Sequence, residues 1–417
     1  MRPKITLCMI VKDETHVIEQ CLKSIAPHID RYDITDTGST DGTQELIKKT
    51  MDELGVPGEV HQSDWKGFGD HAGKIGSRTE SLMNAEKSGA DYAWVIDADD
   101  FVTGKFEYPE KMDADTYSLQ IGRGDFTWWR NQIFKLSVGW RYVGILHEYA
   151  TTREDVPRES VHFAKIEGPY KIHARTEGAR NVGVSPKEKY ERDAKVLEGA
   201  LEDEPNNERY IFYLAQSYFD SQQWEKSFEM YKKRADIGGW PEEVYYSRLR
   251  CALLKGIMEK PHEEIVEAFL DAYNSKPDRA EPLWFLSKLY RNANKPAVAY
   301  LYARMACEIP YPKNDILFIQ DDVYRWAALD ELGATAFYGG RPDIGYQATK
   351  RLMEMDYLPV EHRERIQANH NSYINVLKQM NTDENEEVKT DINKKKEVNK
   401  NKKSTRVPEK KGYKKRK

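Results

Sequence analysis

"YAWVIDADD", residues 92–100, decides how the first half of the chain is read: an unbroken apolar run stops at three acids within four positions. A short apolar run closed by turn-forming acids predicts a strand covered on both faces, with its polar chemistry gathered at the carboxyl end. The upstream sequence repeats that grammar. "ITLCMIV" (5–11) reads as a first buried strand, and "THVIEQCLKSIAPHI" after it has apolar residues at helical spacing. "RYDITDTGSTDGTQELIKKTMDEL" gives a strand near 32–36, a Gly/Ser/Thr/Asp turn, and a helix that Asp41 or Thr43 can cap. A weak strand around 59–62 and a helix from about 77 to 88 lead back to the strand at Tyr92–Ile96. Alternating strands and helices predict an α/β domain built on a mostly parallel sheet with helices on both faces. Ligands of such sheets gather at the carboxyl ends of the strands, where "KDE", "DTGSTDG" and "DADD" all fall.

Downstream of the acids the reading changes. Residues 101–180 hold short β-like pieces such as "DTYSLQIG" and "RYVGILHEYAT" and complete the first domain, expected over 1–184. From "SPKEKYERDAKVLEGALEDEPNN" to about residue 380 the pattern is helical throughout. Ala252, Leu253, Phe269 and Ala272 recur 34 residues later as Leu286, Ser287, Ala303 and Ala306, the tetratricopeptide period. Leu214, Ala215 and Tyr231 hold the same register 38 residues upstream, and a degenerate further repeat covers 329–358. A tetratricopeptide-like (TPR-like) solenoid is therefore expected over 185–380, with an ordinary helical bundle as the alternative.

Composition narrows the function classes. With 39% hydrophobic residues and 11% aromatics the chain can bury real cores, and no apolar run approaches the roughly 20 residues of a membrane span. The segment "MRPKITLCMIVKDE" reads as a first strand rather than a secretory signal. Cys8, Cys21, Cys251 and Cys307 are scattered, which encodes neither a disulfide framework nor a zinc site and suggests a reducing, cytoplasmic compartment. Residues 394–417 carry eleven Lys and two Arg against two Glu, so a tail of net +11 leaves −16 on the remainder of a chain whose total is −5. The Lys/Asn-rich stretch 381–417 is expected to be disordered.

Asp97 and Asp99 sit at a strand end with one small residue between them, a spacing at which both carboxylates reach one hard cation, Mg²⁺ or Mn²⁺. Taken alone, a D-x-D of this kind is equally a turn after a strand. In combination, "VKDE", "DTGSTDGT", "SRTESL" and "VIDADD" over residues 4–150 resemble a family 2 glycosyltransferase of the GT-A fold. "ILHEYAT", "KYERDAKVLEGALEDEPNNERYIFYLAQSYFD" and "GGWPEEVYYS" resemble the branch that carries a TPR-like region after the transferase.

That resemblance implies a nucleotide-sugar donor, a UDP-sugar by preference, and a glycan, lipid or protein acceptor reached by inverting displacement. It implies that Glu14, Asp36, Arg78 and Asp97 bind the donor, that Asp97, Asp99 and His173 hold Mn²⁺ or Mg²⁺, and that Glu148 is the base, with Asp125 its rival. His147 would orient Glu148, and Trp128 and Trp129 would stack on a sugar. Thr79 departs from the pattern, in which Asn follows the Arg. Two other readings stand beside it: an inactive scaffold that holds a peptide in its helical repeats, and a transferase directed to nucleic acid by its basic tail.

Overall fold

The computed structural model describes residues 2–123, 126–175, 177–181 and 183–380, and the basic tail therefore lies outside the described residues. The chain divides into two compact units, the first ending at Ile237 and the second beginning at Gly238.

The first unit runs β1 (Ile5–Val11), α1 (Ile18–Ile25), β2 (Arg31–Asp36), α2 (Thr43–Glu53), β3 (Gly58–Gln62), α3 (Ser77–Glu86) and β4 (Tyr92–Val95). Then come β5 (Phe101–Gly104), β6 (Thr116–Arg123), β7 (Phe126–Lys135), β8 (Arg141–Val143), β9 (Tyr149–Thr151), β10 (Phe163–Lys165) and β11 (Tyr170–His173). β1 lies parallel between β2 and β4, and its alternate residues serve two cores. Ile5, Leu7 and Met9 pack with Trp94, with Ile18 and Leu22 of α1 and with Ile47 and Met51 of α2. Cys8 points the other way, into a cluster with Leu82 and Ala85 of α3, Ala93, Val95 and Phe134. Each such side chain contributes about 1.5–3 kcal/mol by leaving water, which is why the continuous apolar runs of β1 and β4 become central strands.

The sheet is mixed rather than mostly parallel. Nine strands follow the order β3-β2-β1-β4-β7-β6-β11-β5, with β10 beside β6. β7 runs antiparallel to both β4 and β6, and β11 antiparallel to β5. Residue pattern shows where a strand is but not the direction of its neighbour, so the β6–β7 hairpin escapes a reading by periodicity.

Three helices close the first unit: α4 (Pro186–Asp203), α5 (Glu208–Asp220) and α6 (Trp224–Ile237). α4 starts where its sequence says, with Ser185 and Glu188 forming a reciprocal capping box and Pro186 at the first helical position. All-helical chain thus begins near 185, yet the compact unit extends to 237. Polar contacts explain the difference: the Tyr210 hydroxyl meets His71 Nδ1 at 3.0 Å and accepts the Ile145 N–H at 3.3 Å. Arg209 Nε donates to the His147 carbonyl at 3.0 Å, and Arg180 pairs with Asp193.

The second unit contains α7 (Pro241–Ile257), α8 (His262–Ser275), α9 (Glu281–Asn292), α10 (Pro296–Glu308), a π-turn over Val323–Ala327, α11 (Ala328–Thr335), α12 (Pro342–Met353) and a closing helix over 360–380. Proline stands in the first turn of α7, α9, α10 and α12, where its missing N–H costs nothing. α7 packs on α8, α9 on α10 and α11 on α12, a succession of helical hairpins. The repeat positions are where the hairpins touch: Ala252, Leu286, Ala272 and Ala303 are fully buried and Phe269 nearly so. A helical repeat region therefore follows the mixed sheet.

Candidate functional site

The ends of β1 and β4 and the start of α3 border a cavity of about 790 Å³ in the first unit, lined by Glu14, Arg78, Asp97, Asp99 and Arg175 among others. Gly76 lets α3 begin there, because a Cβ on it would come within 2.3 Å of the Gly69 backbone. Arg78 is the hub. Its Nη2 donates to Asp97 Oδ1 at 2.6 Å and its Nε lies 2.7 Å from Glu148 Oε1. Arg130, which the sequence reading passed over, donates to the other oxygen of Asp97 at 3.1 Å. Burial alone would raise the Asp97 pKa, but the two guanidinium charges outweigh it and hold the carboxyl well below the usual range. Burial opposes the Arg78 charge, and Asp97 and Glu148 more than restore it.

The neighbouring acids behave differently. Glu14 accepts the Ala179 N–H at 3.2 Å, and burial, with the Asp99 charge adding, pushes its pKa up to about 7. Burial and the charges of Asp97 and Asp99 push Asp100 up as well. Asp99 Oδ2 is taken by the backbone N–H groups of Glu177 and Gly178, each at 3.0 Å. Asp36 lies off the cavity wall: one oxygen accepts the Gly38 and Ser39 N–H groups, and the other is buried with no hydrogen-bond partner among the described residues.

The remaining expected site residues are dispersed. His173 stacks on Phe101 at 4.8 Å and its Nε2 lies 2.8 Å from the Thr103 hydroxyl. His147 stacks on Tyr213 at 4.0 Å, and burial lowers its pKa to about 4. Trp128 packs against the core while Trp129 is exposed under Lys165, the two faces of one strand. Thr79 bonds the backbone of Tyr142 and stitches α3 to β8. Asp125 lies outside the described residues.

The metal expectation is therefore corrected. Both oxygens of Asp97 are held by arginines, Asp99 is turned to backbone amides, and His173 is committed to Thr103 and Phe101. Among the described residues no group of three or more His, Cys, Asp or Glu side chains could hold a metal ion. These residues do not fit Mn²⁺ or Mg²⁺, which need several carboxylate oxygens turned to one point.

A second constellation lies in the repeat unit, and sequence reasoning missed it. The connection 309–320 after α10 does not leave the surface of the helices but runs along them as a strap. Glu242 Oε2, in the first turn of α7, accepts the N–H groups of Ile316 and Leu317 at 2.8 and 2.7 Å. Arg279 Nη2 donates to the Phe318 carbonyl at 3.2 Å, and Glu281 accepts the Gln320 N–H at 3.2 Å. Asp315 pairs with Arg279 and Lys276, each at 3.1 Å. Arg279 and Glu281 are fully buried and paired with one another at 2.6 Å. The signal in the sequence is slight: acids after Pro241 read as helix-dipole partners, and Arg279 precedes Glu281 by two.

No family model matches the chain, and no curated protein matches it. Solved structures similar to it include a crystal structure of MamA, at 16% identity over 41% of this chain and 94% of that one, with a TM-score of 0.30. Another is BtubC from P. vanneervenii, at 17% identity over 44% of this chain and 74% of that one, TM-score 0.32. A third is YrrB, described as a TPR protein with an unusual peptide-binding site, at 13% identity over 46% of this chain and 84% of that one, TM-score 0.30. The family 2 glycosyltransferase assignment, and the enzyme class that went with it, are corrected by these findings: no family model and no curated relative stands behind them. Among the described residues no helix is long and apolar enough to cross a membrane.

Proposed function

We propose that the protein is a binding scaffold whose helical-repeat unit holds an extended peptide segment of a partner. One observation carries this reading: the first two hairpins of the unit already grip a non-helical stretch of polypeptide by its main chain. Over 314–320 burial alternates residue by residue, with Asp315, Leu317 and Ile319 half-buried and Ile316, Phe318 and Gln320 exposed. That is the period of a peptide lying on a surface. Main-chain N–H and C=O groups are common to every sequence, so Glu242, Arg279 and Glu281 supply general affinity, while the inward positions supply selectivity.

The test is binding of fluorescent peptides of about twelve residues and random sequence to the full chain, read by anisotropy. A subset is expected to bind with Kd near 10 µM or tighter, and Glu242→Gln or Glu281→Gln should weaken it at least about tenfold, a change of roughly 1.4 kcal/mol. Absence of any bound peptide, or binding indifferent to both substitutions, would overturn the reading.

A further inference from the structure

The strap is long for what it joins. It covers 309–320, whereas the other turns of the unit cover only 258–261, 276–280, 293–295, 336–341 and 354–359. Connections between packed helices need about 2–8 residues, so joining α10 to α11 does not require this length. The strap is also held in an uneven way. Its hydrogen bonds and ion pairs to the helices beneath fall on main-chain atoms and on the side chain of Asp315. Ile316 is 81% exposed, and Phe318 adopts a φ of 43°, the left-handed region that a bulky residue avoids. The Phe318 ring meets Tyr246 at 4.9 Å, so the aromatic contact is made at the expense of backbone ease.

The Arg279–Glu281 pair at the centre of the groove does not depend on the strap. Arg279 keeps both oxygens of Glu281, at 2.6 to 3.1 Å, and the Tyr245 and Tyr324 hydroxyls donate to Glu281 at 3.2 and 2.7 Å. Lifting the strap would leave two gaps on the charged side: Lys276 and an Arg279 Nη1 facing the place of Asp315, and the buried Glu242 carboxylate that had accepted the Ile316 and Leu317 N–H groups.

Resting on the peptide-holding reading above, we infer that segment 312–320 is a tethered pseudo-ligand, and that the partner peptide which replaces it follows the same path, with an acidic residue followed by apolar residues at the second and fourth positions after it. The acid meets Lys276 and Arg279 as Asp315 does. The apolar residues take the half-buried places of Leu317 and Ile319, and the intervening N–H groups go to Glu242. A tether this short holds the strap at an effective concentration in the millimolar range, so only a peptide that matches the pattern competes.

The experiment uses the full chain and a fluorescein-labelled synthetic peptide of sequence "YPKNDILFIQDD", identical to residues 311–322. Wild-type protein is expected to bind it weakly, and D315A/L317A, whose own strap is loosened, at least about tenfold more tightly. The same peptide with its first Asp replaced by Ala should lose about tenfold on the loosened protein. If the double variant melts far below the wild type, D315N takes its place and the same ratios decide. Equal affinity of both proteins for the peptide, or equal binding of a scrambled peptide, overturns the pseudo-ligand. Should random peptides bind the wild type while these ratios stay at one, the pseudo-ligand falls and peptide holding stands. No peptide binding to either protein sinks both.

Discussion

Two arginines, Arg78 and Arg279, organise the two units in different ways. Arg78 spans two carboxylates at the edge of a cavity, and one of them, Asp97, has a side chain still 32% exposed. Arg279 is sealed, with a side chain at 0% exposure, and it divides its donors between carboxylates and the carbonyls of a passing chain. The first network settles acids that a fold has crowded at strand ends; the second leaves donors and acceptors for polypeptide. A buried charge is retained only where it is fully paired, so the removal of either arginine should hurt, and Arg279 more. Arg279→Ala is expected to destabilise the second unit by about 3–5 kcal/mol, seen as an earlier transition in urea unfolding of the full chain. A loss below about 1 kcal/mol would mean that water reaches Glu281 once the guanidinium is gone.

Arg78→Ala is the matching test of the first unit, with a smaller expectation of about 2–3 kcal/mol, because solvent reaches Asp97 and Arg130 still pairs with it. If Arg78→Ala proved the more damaging of the two, the sealed and open descriptions would have to be exchanged.

The cavity also predicts a pH dependence of the first unit. Glu14 has a folded pKa raised to about 7 from 4.5, so between those values the folded state holds more proton than the unfolded one. Its contribution to stability therefore falls as pH rises from about 4.5 to 7. Asp100, also raised, acts in the same sense. Asp97 has the opposite sign: its depressed pKa gives stability that is present above 3.8 and lost as pH falls further. Glu14→Gln should raise the melting temperature of the first unit by a few degrees at pH 8 and leave it almost unchanged at pH 4.5. An equal shift at both values would show that Glu14 does not titrate in this window.

The same contrast explains what could be read from sequence. Local order was legible wherever one element carried its own signal: the apolar runs of β1 and β4, the helix at Ser77–Glu86, the change to helical chain near 185 and the buried Ala and Phe of the repeat register. Pairings between distant residues were not. Arg130 reaches Asp97 from 33 residues away, and Asp315 reaches Arg279 from 36, with no spacing rule to announce either. The acids at 97 and 99 were correctly placed at a strand end, but their reading as metal ligands assumed open carboxylates. Arginines supplied by other elements hold both oxygens of Asp97, and backbone amides hold one oxygen of Asp99. The strap escaped a reading that took the chain to about residue 380 as helical throughout, although Pro310, Pro312 and Asn314 punctuate it; only its contacts show that it lies in a groove.

The smallest expected effect is also the most discriminating for the strap, and it sits at Phe318. Its φ of 43° costs a bulky residue about 1–3 kcal/mol, while its ring contact with Tyr246 returns about 0.5–1.5 kcal/mol. Phe318→Gly removes both terms and adds about 0.5–1 kcal/mol of unfolded-chain entropy, so the three nearly cancel and its stability should stay within about 1 kcal/mol of the wild type. Phe318→Ala removes the ring but keeps a Cβ in the left-handed region, so it loses the contact without relieving the strain. The Ala variant is therefore expected to be less stable than the Gly variant by about 1 kcal/mol, although Ala is the better residue almost everywhere else. Urea unfolding of the two proteins side by side measures that difference. If Ala proves the more stable, residue 318 is not held in a left-handed conformation, and the strap rests on its groove without tension.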